Sequence, residues 1–284
     1  MQRRNFLETS AVAALGALAF PNELLEFKKV KQVGVQLYTV RDAMQKDAMA
    51  TLKKIADIGY KDVELAGYNE RKVYGKAVQE FKMMLDDLGL TSNSTHMGLN
   101  VMRGNFGQAV ADAKALGHTY IVCPYLPDNE RKTIDQYKKL ADELNKAGAM
   151  AKRADIQFAY HNHAFEFETL EGQIPMDVLL SACAADLVKI ELDLYWATKA
   201  GQDPVEYFKK APGRFHLWHV KDMANTTEKE FATVGSGTID FKKIFQNAKL
   251  AGVKHFYVEQ DAHKTGEPLA NIETSYKYLK GLRY

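Results

Sequence analysis

A chain of 284 residues, 46% hydrophobic and 26% charged, is long enough to bury one barrel-sized core or two small ones. Its 38 Lys and Arg against 36 Asp and Glu leave a formal charge of +2 with no concentrated basic run, which excludes a nucleic-acid footprint. Two cysteines, Cys123 in an apolar run and Cys183 in an Ala-rich segment, predict two separate buried thiols and not a disulfide framework.

The start of the chain stands apart. Arg3 and Arg4 are followed by Asn5, Phe6 and Leu7, then by an apolar stretch from Ala11 to Phe20 with small residues at Ala17–Ala19. A basic start, a short apolar run and a small-residue cleavage site predict an export signal over residues 1–19. The run is too short for a permanent span, so no stable membrane span is expected after the signal is removed. The Arg-Arg-Asn-Phe-Leu order resembles a twin-arginine signal, a type that exports folded proteins, and the expected destination is the periplasm. The rival reading is an N-terminal helix with chance arginines.

Residues 30–284 repeat one unit: a short apolar run, a turn, and an amphipathic stretch. Strand-like runs cover 32–38, 62–66, 90–96, 119–125, 156–161, 187–193, 215–220 and 255–260. Helical patterns cover 47–58, 75–88, 105–116, 133–153, 175–184, 203–210, 239–251 and 268–281. Gly59, Gly89, Gly117 and Gly252 each close a helical pattern, as helix C-caps do. Such alternation predicts a parallel sheet with right-handed crossovers. Eight units predict an α/β fold, a single (β/α)8 TIM barrel. An open doubly wound sheet would need a Gly-rich turn after its first strand, where this chain reads YTVRDAMQ.

A barrel carries its chemistry at the C-terminal ends of its strands. Here Glu64 lies on the second run and His96 ends the third. His161, Asn162 and His163 end the fifth, with Glu166 just after, and Asp193 ends the sixth. His219 and Lys221 close the seventh, and Glu259 the eighth. Strand alternation puts His161 with His163, and His219 with Lys221, on one face. Imidazoles and carboxylates converging on one rim are costly without a cation. Mixed nitrogen and oxygen donors predict one divalent ion, Mn2+, Co2+, Zn2+ or Fe2+. Such an ion suits a carbohydrate substrate, polarising a carbonyl while the neighbouring proton leaves. Lys221, His163 and Glu166 are candidates for moving that proton. Glu64, His96, Arg41, Tyr38 and Trp196 are candidates for binding the substrate. Blander roles stand beside these: an N-cap for Asp193, a core position for His219, a rim salt bridge for Glu259, and mouth packing for the aromatics. The Gly-rich VGSGTIDF (234–241) precedes a helix and is expected to be a structural loop, not a phosphate site.

The ordered set GVQLYTVRD, YHNHAFEF, ELDLYWATKAGQDPVEYFKKAPGRFHLWHVKDM, VGSGTIDF and YVEQD resembles the xylose-isomerase-like barrel superfamily, often labelled sugar phosphate isomerase/epimerase. That group includes inosose dehydratases, hydroxypyruvate isomerases, ketose epimerases, keto-sugar lyases and, more distantly, apurinic endonucleases. The resemblance implies one metal held in a Glu, Asp, His, Glu pattern at the ends of the fifth to eighth strands. Asp193, His219 and Glu259 match the last three. The first departs, since the chain reads His161-Asn162-His163 where many relatives read Glu-Asn-His. His161 takes that place, or His163 or Glu166 moves in. In ketose epimerases that glutamate doubles as one of two opposed bases, so its loss favours a one-base elimination. The expected activity is a divalent-metal-dependent isomerase or epimerase acting next to the carbonyl of a sugar, cyclitol or keto-sugar. The alternatives are a lyase or dehydratase working by β-elimination, and a non-catalytic sugar-binding protein. Export argues against a phosphorylated substrate, no nucleic acid is expected, and an oligomer is left open.

Overall fold

The computed structural model describes residues 28–264 and 266–284; the expected export signal lies outside them. Eight parallel strands close into a barrel: β1 (Gly34–Gln36), β2 (Asp62–Leu65), β3 (Thr91–His96), β4 (Tyr120–Cys123), β5 (Gln157–His161), β6 (Val188–Asp193), β7 (Leu217–Val220) and β8 (His255–Val258). Each strand pairs with its neighbours in sequence, and β1 closes on β8 with Gly34 beside Tyr257. Every strand falls inside a strand-like run of the sequence.

The main crossover helices are Ala48–Ile58, Val78–Asp87, Phe106–Leu116, Ile134–Lys152, Pro175–Ala182, Pro204–Lys210, Phe241–Gln246 and Pro268–Gly281. Their starts follow local chemistry. Thr133 and Gln136 form a reciprocal capping box, and Pro175, Pro204 and Pro268 occupy first-turn positions where no N–H is needed. Gly59, Gly117 and Gly252 end helices in the left-handed conformation. Two helical patterns are shorter than expected. Residues 68–77 form a small three-stranded antiparallel sheet, and the 239–251 pattern breaks at Asn247 into Phe241–Gln246 and Ala248–Ala251. No helix among the described residues is long and apolar enough to cross a membrane. Cys123 and Cys183 are separate and buried.

The strand pleat divides the interior. One parity faces the helices and builds the main core, including Val63, Ile121, Phe158, Ile190, Leu192 and Trp218. The other parity faces the lumen, where Tyr120, Val122, Ala159, Leu217 and Tyr257 form a separate apolar cluster. Further along the same parity come Gln36, Glu64, Ser94, His96, His161, Glu191, Asp193 and His219. The lumen is therefore an apolar plug beneath a polar storey that opens at the C-terminal rim.

Closure of the seam depends on a missing side chain. A Cβ on Gly34 would stand 2.5 Å from the Tyr257 ring and 2.9 Å from the Phe256 carbonyl. Gly34→Ala should therefore overpack the β1–β8 seam and cost about 1–3 kcal/mol. Urea unfolding should show a lower midpoint with an unchanged slope; an unaltered midpoint would mean that the seam yields freely.

Candidate metal centre

His219, at the centre of the polar storey, has carboxylates at both ring nitrogens. Its Nδ1 lies 2.5 Å from Glu259 Oε2 and 4.0 Å from Asp193 Oδ2. Its Nε2 lies 2.6 Å from Glu64 Oε2 and 3.2 Å from Glu191 Oε2. Burial alone would lower the His219 pKa, but Glu191, Glu259 and Glu64 more than reverse it, and the imidazole is held well above its usual range. His161 is arranged in the same way. Its Nδ1 is 3.1 Å from Glu191 Oε2, which turns Nε2 toward Asp193 Oδ2 at 3.9 Å. His96 Nε2 sits 2.7 Å from Glu191 Oε2, and burial lowers its pKa to about 4.

Two overlapping donor groups result, each with its atoms within 4.8 Å of one another: Asp193, His219 and Glu259, and His96, His161, Glu191 and His219. The donors fit a divalent cation. Glu191 Oε1 is buried without a hydrogen-bond partner, Asp193 Oδ2 has only the Lys221 ammonium at 3.0 Å, and burial raises Asp193 to about 6 and Glu191 to about 7. Around them stand groups that fix orientation. Gln36 Nε2 donates to Glu64 at 2.8 Å and Ser94 Oγ at 2.5 Å; the Asp193 N–H donates to Asn162 Oδ1 at 3.0 Å. Asp193 also caps the following turn, accepting from the Trp196 N–H at 2.8 Å, so its ligand and N-cap readings coexist.

Lys221 is 2% exposed, with Nζ 3.0 Å from Asp193 Oδ2, 2.6 Å from Glu259 Oε2 and 2.9 Å from Asp261 Oδ1. Burial opposes its charge, but the carboxylates of Asp193, Asp261 and Glu259 hold its pKa well above the usual lysine range. Burial would likewise raise Glu259, yet Lys221 and His219 hold it well below the usual carboxylate range. Lys221 is thus a stable ammonium, not a surface partner of Asp222. Asp222 instead turns away and accepts the N–H groups of Gly235, Gly237 and Ile239 at 2.9, 2.9 and 3.2 Å. A Cβ on Gly237 would meet Asp222 Oδ1 at 2.3 Å. The Gly-rich 234–241 segment therefore cradles the chain's own carboxylate, as expected of a structural loop.

The cluster forms the floor of a cleft of about 440 Å3 whose lining includes His96, His161, His163, Lys221, Glu259 and Asp261. His163 reaches the cleft wall, stacked on Phe165, and burial lowers its pKa to about 3. Glu166 does not reach the cleft. It is fully buried, accepts from Tyr160 Oη at 2.7 Å and from the His163 N–H at 2.8 Å, and so braces the turn that follows β5. Its expected role as a proton carrier is corrected to a structural one. Arg41 lies behind Tyr38, donating to the Tyr38 and Asp261 carbonyls at 3.1 and 3.0 Å, and Trp196 packs 5.4 Å from the His163 ring. Both support the rim from outside the cleft lining. Glu64 lies beneath His219 and not at the mouth. Sequence reasoning missed Glu191 and, though it places Asp261 just past the eighth run, gave that residue no role. Glu191 is two residues before Asp193 and shares its face by simple alternation; Asp261 is two residues beyond Glu259.

The family described as xylose isomerase-like TIM barrel matches residues 52–282, and the chain belongs to it. Among curated proteins, an inosose dehydratase of Clostridium perfringens is 28% identical over 165 residues, covering 51% of this chain and 54% of that protein. The chain thus spans about half the length of the curated relatives it matches. A crystal structure of a sugar phosphate isomerase/epimerase from Parabacteroides distasonis superposes with a TM-score of 0.77 at 30% identity, covering 89% of this chain and 94% of that one. The IOLI protein, whose structure holds a zinc atom, shares the fold at 16% identity and a TM-score of 0.71, covering 88% and 98%.

Divalent binding should be proton-linked. Asp193 and His219 must shed protons to ligate, so affinity should rise as pH rises through about 6 to 7 and beyond. Calorimetry in buffers of different ionisation enthalpy should show net proton release on Mn2+ or Zn2+ binding at pH 7. Glu191→Gln, which removes a carboxylate of the second donor group and loosens His161 and His96, should weaken binding by about 10–100-fold. No proton release, or unchanged affinity, would count against this donor arrangement.

Proposed function

We propose that this member of the xylose isomerase-like barrels is a divalent-metal-dependent enzyme that removes the proton next to the carbonyl of a neutral sugar or cyclitol and then expels a β-oxygen. The observation that carries the reading is the convergence of Asp193, His219 and Glu259 on one point, with the Lys221 ammonium ion-paired to Asp193 and Glu259 beside it. His161, Asp193, His219 and Glu259 would hold the cation, which supplies Lewis acidity to a carbonyl oxygen. The assignment of His161, over His163 or Glu166, is supported by the turn of its Nε2 toward Asp193.

The acid and base lie side by side. Asp261 is the candidate base: burial raises its pKa, and its carboxylate contacts Lys221 Nζ at 2.9 Å. Lys221 is the candidate acid. Asp261 takes the α-proton as the C–H bond breaks and the C=C bond forms. The β-C–O bond breaks as Lys221 protonates the departing oxygen, and Asp261 returns its proton to Lys221. Water or an alcohol leaves, and protons balance. His163, being neutral, orients hydroxyl groups. The absence of a carboxylate at position 161 disfavours the two opposed bases of an epimerase. Return of the proton to carbon would instead give an isomerase, from the same first step. A neutral substrate is favoured because, among the described residues, Lys221, bound to three carboxylates, is the one Lys or Arg in the cleft lining.

Metal-loaded protein incubated with keto-sugars, keto-cyclitols and keto-glycosides in D2O should release water or alcohol, and EDTA should abolish this. Lys221→Met should lower kcat by about 10²–10⁴-fold. Solvent label in recovered substrate or isomer with nothing released would favour the isomerase; no metal-dependent reaction at all would sink both. We further propose export from the Arg3-Arg4 segment. Cell fractionation should find the protein in the periplasm, and lysines at both positions should retain it in the cytoplasm; unaltered distribution would refute the signal.

A further inference from the structure

We infer that the mouth of the cleft is a second subsite, built on Tyr38 and Tyr125, that receives the apolar aglycone of a glycoside. The inference rests on the carbohydrate reading above and narrows it from any neutral sugar to a two-part molecule.

Among the described residues five large apolar side chains are exposed, and the two aromatic ones are Tyr38 (43%) and Tyr125 (44%). Both line the same cleft as His161, Lys221 and Glu259. They stand two residues beyond the ends of β1 and β4, with β2 and β3 between them on one side of the ring and four strands on the other. They therefore flank the mouth from well-separated parts of the rim.

Each ring is held in place. The Arg41 guanidinium sits 4.4 Å from the Tyr38 centroid and is itself tied to the Tyr38 and Asp261 carbonyls. Tyr125 packs edge-to-face on His163 at 5.2 Å and on Phe165 at 6.0 Å, with Arg131 5.4 Å from its centroid. Rigid aromatic faces left to solvent at a cleft mouth lose little entropy when another ring stacks on them.

The rest of the mouth decides what kind of ring fits. Ala66, Val101 and Pro124 supply apolar wall beside Tyr68 and Asn100, and the nearest guanidinium groups, Arg41 and Arg131, are stacked on the tyrosines, whereas the floor below is carboxylate, imidazole and ammonium. A sugar ring matches the floor. An aryl or other flat apolar group matches the two exposed tyrosine faces and the apolar wall between them.

The test uses metal-loaded protein with phenyl glucoside, methyl glucoside and cellobiose, read by calorimetry or saturation-transfer NMR. Phenyl glucoside should bind about tenfold tighter than methyl glucoside, roughly 1.4 kcal/mol. Tyr38→Ala and Tyr125→Ala should each bring that ratio toward one, and Tyr125→Phe should keep it. A wild-type ratio near one, or no binding of phenyl glucoside, overturns the subsite. A ratio that survives both alanine variants overturns its assignment to these tyrosines, and a stronger preference for cellobiose overturns the apolar aglycone. Failure of the underlying carbohydrate reading shows separately, as no divalent binding and no metal-dependent turnover of any keto-sugar.

Discussion

Five carboxylates meet two cations inside this barrel. Glu64, Glu191 and Asp193 are fully buried, Glu259 is 4% exposed, and Asp261 lies just outside them, against the Lys221 ammonium and the His219 imidazole. Ionised groups cannot be removed from water at this density unless charge and hydrogen bonding are satisfied together. The raised pKa values of Glu64, Glu191 and Asp193 show where compensation falls short, and the lowered value of Glu259 shows where Lys221 and His219 supply it. A site with this imbalance favours further positive charge. The demand for a cation is thus a property of the lumen as a whole, not of any single ligand.

The same imbalance explains how a histidine serves at position 161. Glu191 Oε2 lies among the His161, His96 and His219 rings, hydrogen-bonded to His161 Nδ1 and His96 Nε2 and 3.2 Å from His219 Nε2. That contact fixes which His161 nitrogen remains to face Asp193. A neutral imidazole at this place adds a donor without a sixth negative charge. With no carboxylate at position 161, the proposed acid and base are the ion-paired Lys221 and Asp261.

Much of this architecture was legible because barrel strands carry a local signal. Each is a short apolar run bounded by turn residues, and Gly59, Gly117 and Gly252 mark helix ends through a conformation that other residues disfavour. The site was less legible. Reading only the ends of the runs found Asp193 but passed over Glu191, although the two share a face. Glu166 was misjudged for a different reason. Past the end of a strand, spacing no longer says where a side chain points, and the short 3-10 turn Phe165–Phe167 folds it back onto Tyr160. The first hairpin at 68–77 left little trace because its turn uses Glu70 and Arg71 at positive φ where glycine is usual; the second turns on Tyr74 and Gly75.

The proposed preference for a neutral substrate follows from where the chain places its positive charge. Phosphate recognition usually draws on backbone N–H groups at glycine-rich turns or on unpaired basic side chains. Here the N–H groups of Gly235, Gly237 and Ile239 converge on Asp222. Arg41 is bound to carbonyls and stacked on Tyr38, and Lys221 is shared among three carboxylates. The Gly-rich N–H groups, Arg41 and Lys221 therefore each already have an internal partner. A substrate phosphate would have to displace one of these contacts or stand unpaired beside Glu259 and Asp261. A neutral polyhydroxy ring faces neither cost, since it offers hydroxyl donors to the carboxylates and leaves the internal pairs intact.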